Sequence, residues 1–165
     1  MRPGNSIAGK VVTEKELLQK LNVWRLLGKT IVFSNGCFDI LHAGHIASLS
    51  EAAQHGDVLV IGVNADVSVK KIKGGNRPLN DENSRSLLLA SLSMVDAVII
   101  FSEDTPLEII KMIQPNVLVK GGDYAIDQIA GSKEVIAGGG KVIINPVING
   151  FSTTSIIQKI KKLNL

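Results

Sequence analysis

Short runs of aliphatic residues alternate along this chain with longer segments whose apolar residues recur at helical spacing. This alternation predicts βαβ units, and their right-handed crossovers place successive strands in one parallel sheet. Only 4% of the residues are aromatic, a composition that favours buried parallel strands covered by helices over a β-sandwich. We therefore predict an α/β fold with a Rossmann-like, doubly wound, five-stranded parallel sheet in the order 3-2-1-4-5 and helices on both faces.

Turn residues and changes of periodicity set the expected boundaries. The predicted strands cover residues 30–34, 58–63, 95–101, 117–120 and 141–147. The predicted helices cover 13–28, 43–54, 81–91 and 152–163, and another begins with Pro106 as its first residue. The 165 residues suit a single domain, in which 1–12 is a loose leader, 13–28 an N-terminal helix and 29–165 the core that carries the site.

The charge, the apolar runs and the cysteine content of the sequence indicate the cellular compartment and the kind of partner to expect. The net charge of +3 is mildly basic and no block of like charges occurs, so nucleic-acid binding is not required. The apolar runs are too short to cross a bilayer. A single cysteine, Cys37, excludes an internal disulfide framework and fits a reducing compartment, so we expect a cytoplasmic protein.

Two histidines lie three residues apart after the first predicted strand, at the start of a predicted helix. His42 and His45 would share one helix face, and the helix start favours anions. Gly44 lets a ligand approach the backbone, so we interpret the loop as a phosphate site. Two alternatives remain open: histidines with an ordinary surface or core role, and a zinc site that includes Cys37.

Cationic and polar residues follow the second predicted strand. Residues 68–78 are basic and contain glycines, which predicts a mobile cationic flap for a triphosphate, although such segments are usually solvated surface. Asn64 and Asp66 are candidates to hold substrate or magnesium, with a polar loop capped by an Asx residue as the alternative.

Two further segments lie near the expected ligand site. After strand four, a glycine pair gives the backbone freedom to approach a nucleotide, with a plain turn as the alternative. Before the last helix, three hydroxyl residues precede or begin the first turn, where they could bind phosphate or simply cap the helix. These segments are Lys120, Gly121, Gly122 and Asp123, and Ser152, Thr153 and Thr154.

The run GCFDILHAGH resembles the G-x-F-D-x-x-H-x-G-H signature of the nucleotidyltransferase superfamily. Four other stretches, VKGGDY, IAGSKEV, GGGKVIINPV and GFSTTSII, resemble its heptose 1-phosphate adenylyltransferase branch. The resemblance runs from about Gly28 to the C-terminus. It implies that AMP passes from ATP to D-glycero-D-manno-heptose 1-phosphate by direct in-line displacement, giving ADP-heptose and pyrophosphate, with Mg²⁺ held mainly by phosphates.

The resemblance also implies roles for individual residues. The expected catalytic residues are His42, His45 and Lys73. The expected nucleotide-binding residues are Gly36, Cys37, Phe38, Gly44, His45, Lys120, Gly121, Gly122, Asp123, Ser152, Thr153 and Thr154. The expected substrate-binding residues are Asp39, Asn64, Asp66, Arg77 and Arg85.

The expected partners are ATP and a sugar 1-phosphate, with neither nucleic acid nor membrane. A homodimer is expected from the resemblance and from the frequency of two-fold oligomers, and a separate sugar kinase would supply the acceptor. Two rival functions stay open. One is a cytidylyltransferase that acts on glycerol 3-phosphate or a similar alcohol, and the other is a non-catalytic nucleotide sensor or RNA-binding module.

Overall fold

The centre of the protein is a five-stranded, all-parallel sheet in the order β3-β2-β1-β4-β5, which confirms the predicted topology. The structure is a computed structural model that describes residues 7–146 and 150–163. Its strands are β1 (Ile31–Gly36), β2 (Val58–Asn64), β3 (Ala97–Phe101), β4 (Val117–Gly121) and β5 (Lys141–Asn145).

Seven α-helices are described, together with 3-10 helices over Ile7–Lys10 and Ile126–Gln128. Side chains at the predicted starts do cap several of them: Thr13 forms a capping box with Glu16, and the Asp81 carboxylate accepts from two N–H groups. The α-helices are α1 (Glu14–Leu26), α2 (Ala43–Ala53), α3 (Asp66–Lys73), α4 (Glu82–Ala90), α5 (Leu107–Ile113), α6 (Ser132–Ala137) and α7 (Thr153–Lys162).

Alternate residues of the strands pack into two cores, one on each face of the sheet. Phe33 of β1 belongs to the core beneath α1, α5 and α6. Its neighbour Val32 belongs to the opposite core, beneath α2 and α4. Because both faces are covered, the strands read as nearly continuous aliphatic runs, as in other buried parallel sheets.

Three segments differ from their predicted form. Residues 66–73 form helix α3, not part of a mobile flap, because Ser68 and Val69 are fully buried while the lysines of its last turn suit the helix dipole. The end of the predicted leader packs on the sheet, since Val11 forms a bridge with Val98 of β3 and Val12 is buried; residues 1–6 lie outside the described chain. Pro106 was predicted to be the first residue of the helix, but it is the N-cap of α5, which begins at Leu107.

One predicted boundary falls beside residues 147–149, which the structure does not describe. β5 ends at Asn145, so Pro146 is not part of the strand as predicted, and Val147 lies outside the described residues. Among the described helices, none has the length and apolar character needed to span a membrane.

Strand β1 pairs with both β2 and β4, so the strand order reverses at this point. Ligands of doubly wound sheets bind at such switch points, outside the carboxyl ends of the strands. The loop after β1 leads into α2, and the end of β4 lies beside it. These two segments are the walls of the site described next.

Candidate active site

The two histidines of the predicted phosphate loop lie against each other at the start of α2. His42 is the N-cap, and its Nδ1 accepts a hydrogen bond from the His45 backbone N–H at 3.3 Å. The two imidazole rings stack, with centroids 3.8 Å apart and planes 18° from parallel. Phe38 meets the His45 ring edge-on at 5.3 Å, so His45 is held between two rings.

Both imidazoles are disposed to stay neutral. Burial lowers the pKa of His42, and a hydrogen bond to its own backbone opposes this only in part. Burial lowers the pKa of His45 further, from its ordinary value of 6.5 to about 4, with help from the nearby charges of His42 and Lys73. His45 Nδ1 is buried and makes no hydrogen bond within the described part of the chain. A neutral imidazole can donate one hydrogen bond to a phosphate without carrying a permanent charge.

Gly44 allows close packing between the histidine loop and the start of α7. A Cβ at this position would lie 3.0 Å from Phe151 Cβ and 3.1 Å from the His42 ring. The Phe151 ring stacks loosely on His42, with centroids 6.5 Å apart. The glycine is therefore needed for contacts within the protein, and the beginnings of α2 and α7 face each other across it.

Asp39 fixes the shape of the loop after β1. Its carboxylate is buried, pairs with the Arg77 guanidinium, and accepts hydrogen bonds from the backbone N–H groups of Leu79 and Asn80 at 2.7 and 3.0 Å. Burial alone would raise the pKa of Asp39, but these hydrogen bonds and the Arg77 charge outweigh it and hold the pKa below its ordinary value. Asp39 and Arg77, both predicted to bind substrate, are thus engaged with each other.

Arg85, also predicted to bind substrate, is a fully buried hub behind the cleft. Its guanidinium pairs with Asp66 at 2.7 Å and donates to the carbonyls of Asn64 and Asn80 at 2.8 and 3.0 Å, and to that of Cys37. These bonds join α4 to the ends of β1 and β2. The structure places Arg85 and Asp66 outside the cleft lining, where their contacts are internal.

A cleft of about 660 Å³ opens at the carboxyl ends of the strands. It contains His45 and Lys73 from the predicted catalytic set and Asn64 from the substrate set. The predicted nucleotide residues on its wall are Gly36, Cys37, Phe38, Lys120, Gly121 and Thr153, and Asp39 also contributes. Sequence reasoning therefore placed residues from β1, β2, α3, β4 and α7 around one cavity.

Other predicted residues lie beside the cleft without lining it. His42 and Gly44 support His45 from behind, as described above. Ser152 is the N-cap of α7, its Oγ accepting from the Ser155 N–H at 3.0 Å, which agrees with the capping alternative. Gly122 adopts φ +133°, and a Cβ there would meet the Tyr124 ring. Asp123 and Thr154 are exposed and are not part of the wall.

Several wall residues were missed by sequence reasoning. Asn35 precedes Gly36 at the end of β1, and its position beside the motif was the signal that could have identified it. Ser48 lies one turn along α2 from His45, at a spacing of three. Tyr124, Ile129 and Ala130 lie in the stretches VKGGDY and IAGSKEV, but they were given no site role. No motif marked the other wall residues after β3 and β4, which are Asp104, Thr105, Pro106 and Gln128.

The described residues contain no group of three or more His, Cys, Asp or Glu side chains placed to hold a metal ion. The two carboxylates on the cleft wall each have a cationic partner already: Asp39 pairs with Arg77, and Asp104 pairs with Lys71 at 2.8 Å. With both carboxylates paired, these residues fit a divalent cation whose ligands are mainly phosphate oxygens and water.

A family model described as cytidylyltransferase-like matches residues 33–159, most of the chain and all five strands except the start of β1. Curated relatives are called bifunctional protein HldE. The relative from Koribacter versatilis is 51% identical over 150 residues, covering 91% of this chain and 31% of its own length. The relative from Shewanella baltica is 52% identical over 150 residues, covering 91% and 32%. The chain thus spans about a third of the length of these relatives.

Solved structures share the fold. The lipopolysaccharide core biosynthesis protein from Thermoplasma volcanium aligns with a TM-score of 0.60 and 33% identity, covering 73% of this chain and 98% of that one. Pantoate-beta-alanine ligase from Francisella tularensis, solved with Beta-gamma ATP and Beta-alanine, also gives 0.60, covering 94% and 78%. At 17% identity, the second likeness concerns the fold alone.

Proposed function

The chain belongs to the cytidylyltransferase-like family, and on that basis we propose that it is an adenylyltransferase that transfers AMP from ATP to a sugar 1-phosphate. The observation that supports this best is one cleft, at a switch point of the sheet, that is lined by the neutral imidazole of His45 and by the ammonium groups of Lys73 and Lys120. Such a set of donors and cations suits the polyanionic transition state of phosphoryl-type transfer.

The reaction is a direct in-line displacement. An oxygen of the sugar phosphate attacks the α-phosphorus of ATP, a new P–O bond forms, and the bond to the bridging oxygen of the β-phosphate breaks. Pyrophosphate leaves with that electron pair. Cys37 needs no nucleophilic role, because the acceptor itself attacks.

The protein supplies position and charge. His45 donates a hydrogen bond to the reacting phosphates, and His42 keeps the His45 ring in place by stacking and by capping α2. Lys73 extends from the last turn of α3 toward the same space and neutralises developing negative charge. The N–H groups at the start of α7, next to Thr153, are suited to the leaving pyrophosphate.

Mg²⁺ accompanies ATP in this proposal, with phosphate oxygens and water as its ligands. When bound, the ion offsets the charge of the triphosphate and of the departing pyrophosphate. The Arg77 and Lys71 pairs leave Asp39 and Asp104 committed elsewhere, so no protein carboxylate is assigned to the ion.

The proposed acceptor is D-glycero-D-manno-heptose 1-phosphate. Support comes from the motifs VKGGDY and GFSTTSII, from the identity with proteins named HldE, and from the likeness to a lipopolysaccharide core biosynthesis protein. A sugar kinase activity on another domain or polypeptide would supply the sugar phosphate. We further propose that the enzyme works in the cytoplasm as a homodimer.

The test is pyrophosphate release in the presence of Mg²⁺. ATP and CTP are each paired with the heptose 1-phosphate and with glycerol 3-phosphate. We expect turnover with ATP and the heptose phosphate alone. Turnover with CTP and glycerol 3-phosphate would instead support the cytidylyltransferase, and ATP binding without turnover of any pair would support a nucleotide sensor. Salt-sensitive binding to RNA would support the nucleic-acid alternative.

A further inference from the structure

A partly buried ammonium group on the wall of the cleft has no counter-ion among the described residues. Lys120 is the fourth residue of β4 and lies beside the switch point of the sheet. Its Nζ makes one long hydrogen bond, to Asn35 Oδ1 at 3.4 Å. Burial lowers the pKa of Lys120, while the neighbouring Cys37 acts in the opposite direction. An ammonium group that has lost part of its water gains from an anionic ligand.

No carboxylate of the described residues pairs with this ammonium. In the described chain the carboxylates of the wall are Asp39 and Asp104, and each is paired with another cation. Lys120 is in none of the salt bridges found among residues 7–146 and 150–163. The missing negative charge therefore comes from whatever fills the cleft.

Asn35 determines where this ammonium lies. It is on β1, next to β4, and its side chain amide reaches the Lys120 Nζ across the two strands. Gly62 of the neighbouring strand β2 leaves room for the Asn35 side chain, because glycine has no Cβ. A Cβ at position 62 would lie 3.3 Å from Asn35 Cβ and 2.8 Å from the Phe33 ring. A neutral amide holds the ammonium without cancelling its charge, which a carboxylate at this position would do.

We propose that Asn35 is a positioning residue that holds the Lys120 ammonium at the cleft wall to bind a phosphate group of the substrates, with a neutral partner so that the charge stays available. The inference deepens the proposed function and rests on it for the identity of the substrates. The phosphate belongs either to ATP or to the sugar 1-phosphate, which share the same chemistry.

The test compares four variants with the wild-type chain. Asn35→Asp adds a carboxylate beside Lys120, Asn35→Ala removes the holding group, Lys120→Met removes the charge, and Lys120→Arg restores it. Asn22→Asp, on the exposed surface of α1, is the matched control for the change of net charge. Thermal melts establish that each variant is folded. Calorimetry measures the binding of ATP and of inorganic pyrophosphate, and pyrophosphate release gives KM for each substrate and kcat.

We expect Asn35→Asp and Lys120→Met to weaken binding, or to raise KM, at least 10-fold for one phosphorylated ligand, because a charge-assisted hydrogen bond is lost in a partly desolvated site. Lys120→Arg should recover part of the loss, Asn35→Ala should have a smaller effect, and the Asn22→Asp control should show none. The substrate whose KM rises identifies the phosphate that Lys120 binds.

The pH dependence gives a readout that a purely structural role would not change. Binding by the ammonium is complete below its pKa and is lost as the pH rises through it, so the wild-type chain should lose affinity on the alkaline side. The Asn35→Asp carboxylate raises the Lys120 pKa and should move that loss to higher pH. The titratable groups that line the same cleft are Cys37, Tyr124, Lys73, His45, Asp39 and Asp104. The Cys37→Ser variant separates the thiol from the ammonium.

Unchanged binding and KM in folded Asn35→Asp and Lys120→Met would overturn the inference, whatever the turnover. An alkaline loss that disappears in Cys37→Ser, or that stays in place in Asn35→Asp, would also overturn it. If the wild-type chain binds ATP or pyrophosphate through Lys120 but releases no pyrophosphate from any pair, the proposed function fails while this inference stands.

Discussion

His45 contributes an uncharged side chain to a cleft that also contains the ammonium groups of Lys73 and Lys120. Its ring is fixed by His42 on one face and by the edge contact with Phe38. Burial, with the nearby charges of His42 and Lys73, keeps the proton off the ring at neutral pH. A rigid, neutral donor needs little reorganisation when charge develops on a phosphate, which is the condition for effective transition-state stabilisation.

Replacing His45 by Ala should lower kcat about 10²- to 10³-fold, the usual effect of losing one positioned donor. KM for ATP should change much less, because the donor acts mainly in the transition state. Steady-state pyrophosphate release measures both constants. His55→Ala, at the far end of α2, is the matched control and should stay within about two-fold of the wild type. A folded His45→Ala protein with near-normal turnover would contradict the assignment.

The lowered pKa of His45 also predicts how stability depends on pH. In the unfolded chain the imidazole takes up a proton near pH 6.5, whereas in the folded chain it does so near 4. The stability is therefore fully present above pH 6.5 and is lost as the pH falls toward 4. Because the ring is partly exposed, we discount the full shift and expect a loss of about 1 to 2 kcal/mol.

Urea unfolding of the wild type and of His45→Gln between pH 7.5 and 4.5 checks this expectation. The glutamine variant should lose less stability over that interval, since it cannot take up the proton. Parallel curves for the two proteins would show that His45 does not titrate with a lowered pKa.

At this scale, the sequence predicted the residues that a compact motif contains and missed those that only the fold brings to the cleft. His42, His45 and Gly44 form one local run, so their proximity could be read from spacing. Arg85 looked like a free cation, because nothing local shows that the carbonyls of Cys37 and Asn64 converge on it. Tyr124 and Gln128 belong to the wall only because of the way the chain turns after β4.

Among the elements, α3 and α4 carry the supports of the site, and Arg85 joins them to two strand ends. Asp66 begins α3, and its N–H donates to Glu82 Oε2 of α4 at 2.7 Å, while its carboxylate meets Arg85. The basic composition of residues 68–78 predicted a flap. Part of this segment is helical instead, because α3 is short and is stabilised mainly by burial of Ser68 and Val69, which the local sequence does not reveal. Tertiary packing here overrides a weak local preference.

Arg85→Met should destabilise the protein by about 3 to 5 kcal/mol, because it leaves Asp66 and several buried carbonyls without their partner. Lys111→Met removes an exposed i,i+3 pair with Glu108 and should cost less than about 1 kcal/mol. Chemical denaturation of both variants measures the contrast. A stable Arg85→Met protein with only a raised KM would instead assign Arg85 to substrate binding.

Gly44→Ala should separate activity from stability. Alanine favours the helix by roughly 1 kcal/mol, which offsets the tight contacts with Phe151 and His42, so the stability should change little. Displacement of the His42 ring should lower kcat about 10-fold, since small misplacements of a catalytic group are costly. In the control Gly138→Ala, after α6, the added Cβ meets nothing closer than 3.4 Å, and kcat should be retained. Equal kcat in both variants would contradict the packing role of Gly44.

On the scale of the whole molecule, the cleft is lined by residues of β1, α2, β2, α3, β4 and α7 at one edge of the sheet. The strand order and the location of the site followed from the alternation of strands and helices, because right-handed crossovers leave few topologies open. The residues on the far wall of the cleft could not be predicted in the same way. Helix α6, the 3-10 helix at 126–128 and the loop at 104–106 are too short to show a periodic pattern in the sequence.

A ligand that fills this cleft would bridge several elements, so its binding should stabilise the protein as a unit. At a concentration of MgATP about 100 times Kd, the folded state should gain about 2.7 kcal/mol. For a chain of this size that corresponds to a rise in Tm of roughly 5 to 10 °C. Differential scanning calorimetry with ATP and Mg²⁺ measures the shift, and inosine, which lacks phosphates, is the control ligand. No shift with ATP would contradict a nucleotide site in the cleft.

The neighbouring positions of β1 and β4 have a consequence for how the protein is assembled. The hydrogen bonds from Ile31 to Asn116 and from Lys120 to Asn35 each join residues 85 positions apart, whereas β1, β2 and β3 pair over shorter stretches of chain. Closing so long a loop is entropically unfavourable and slow, so the first three strands can associate before the last two join them. During refolding, the recovery of catalytic competence should therefore lag behind the recovery of helix and strand content.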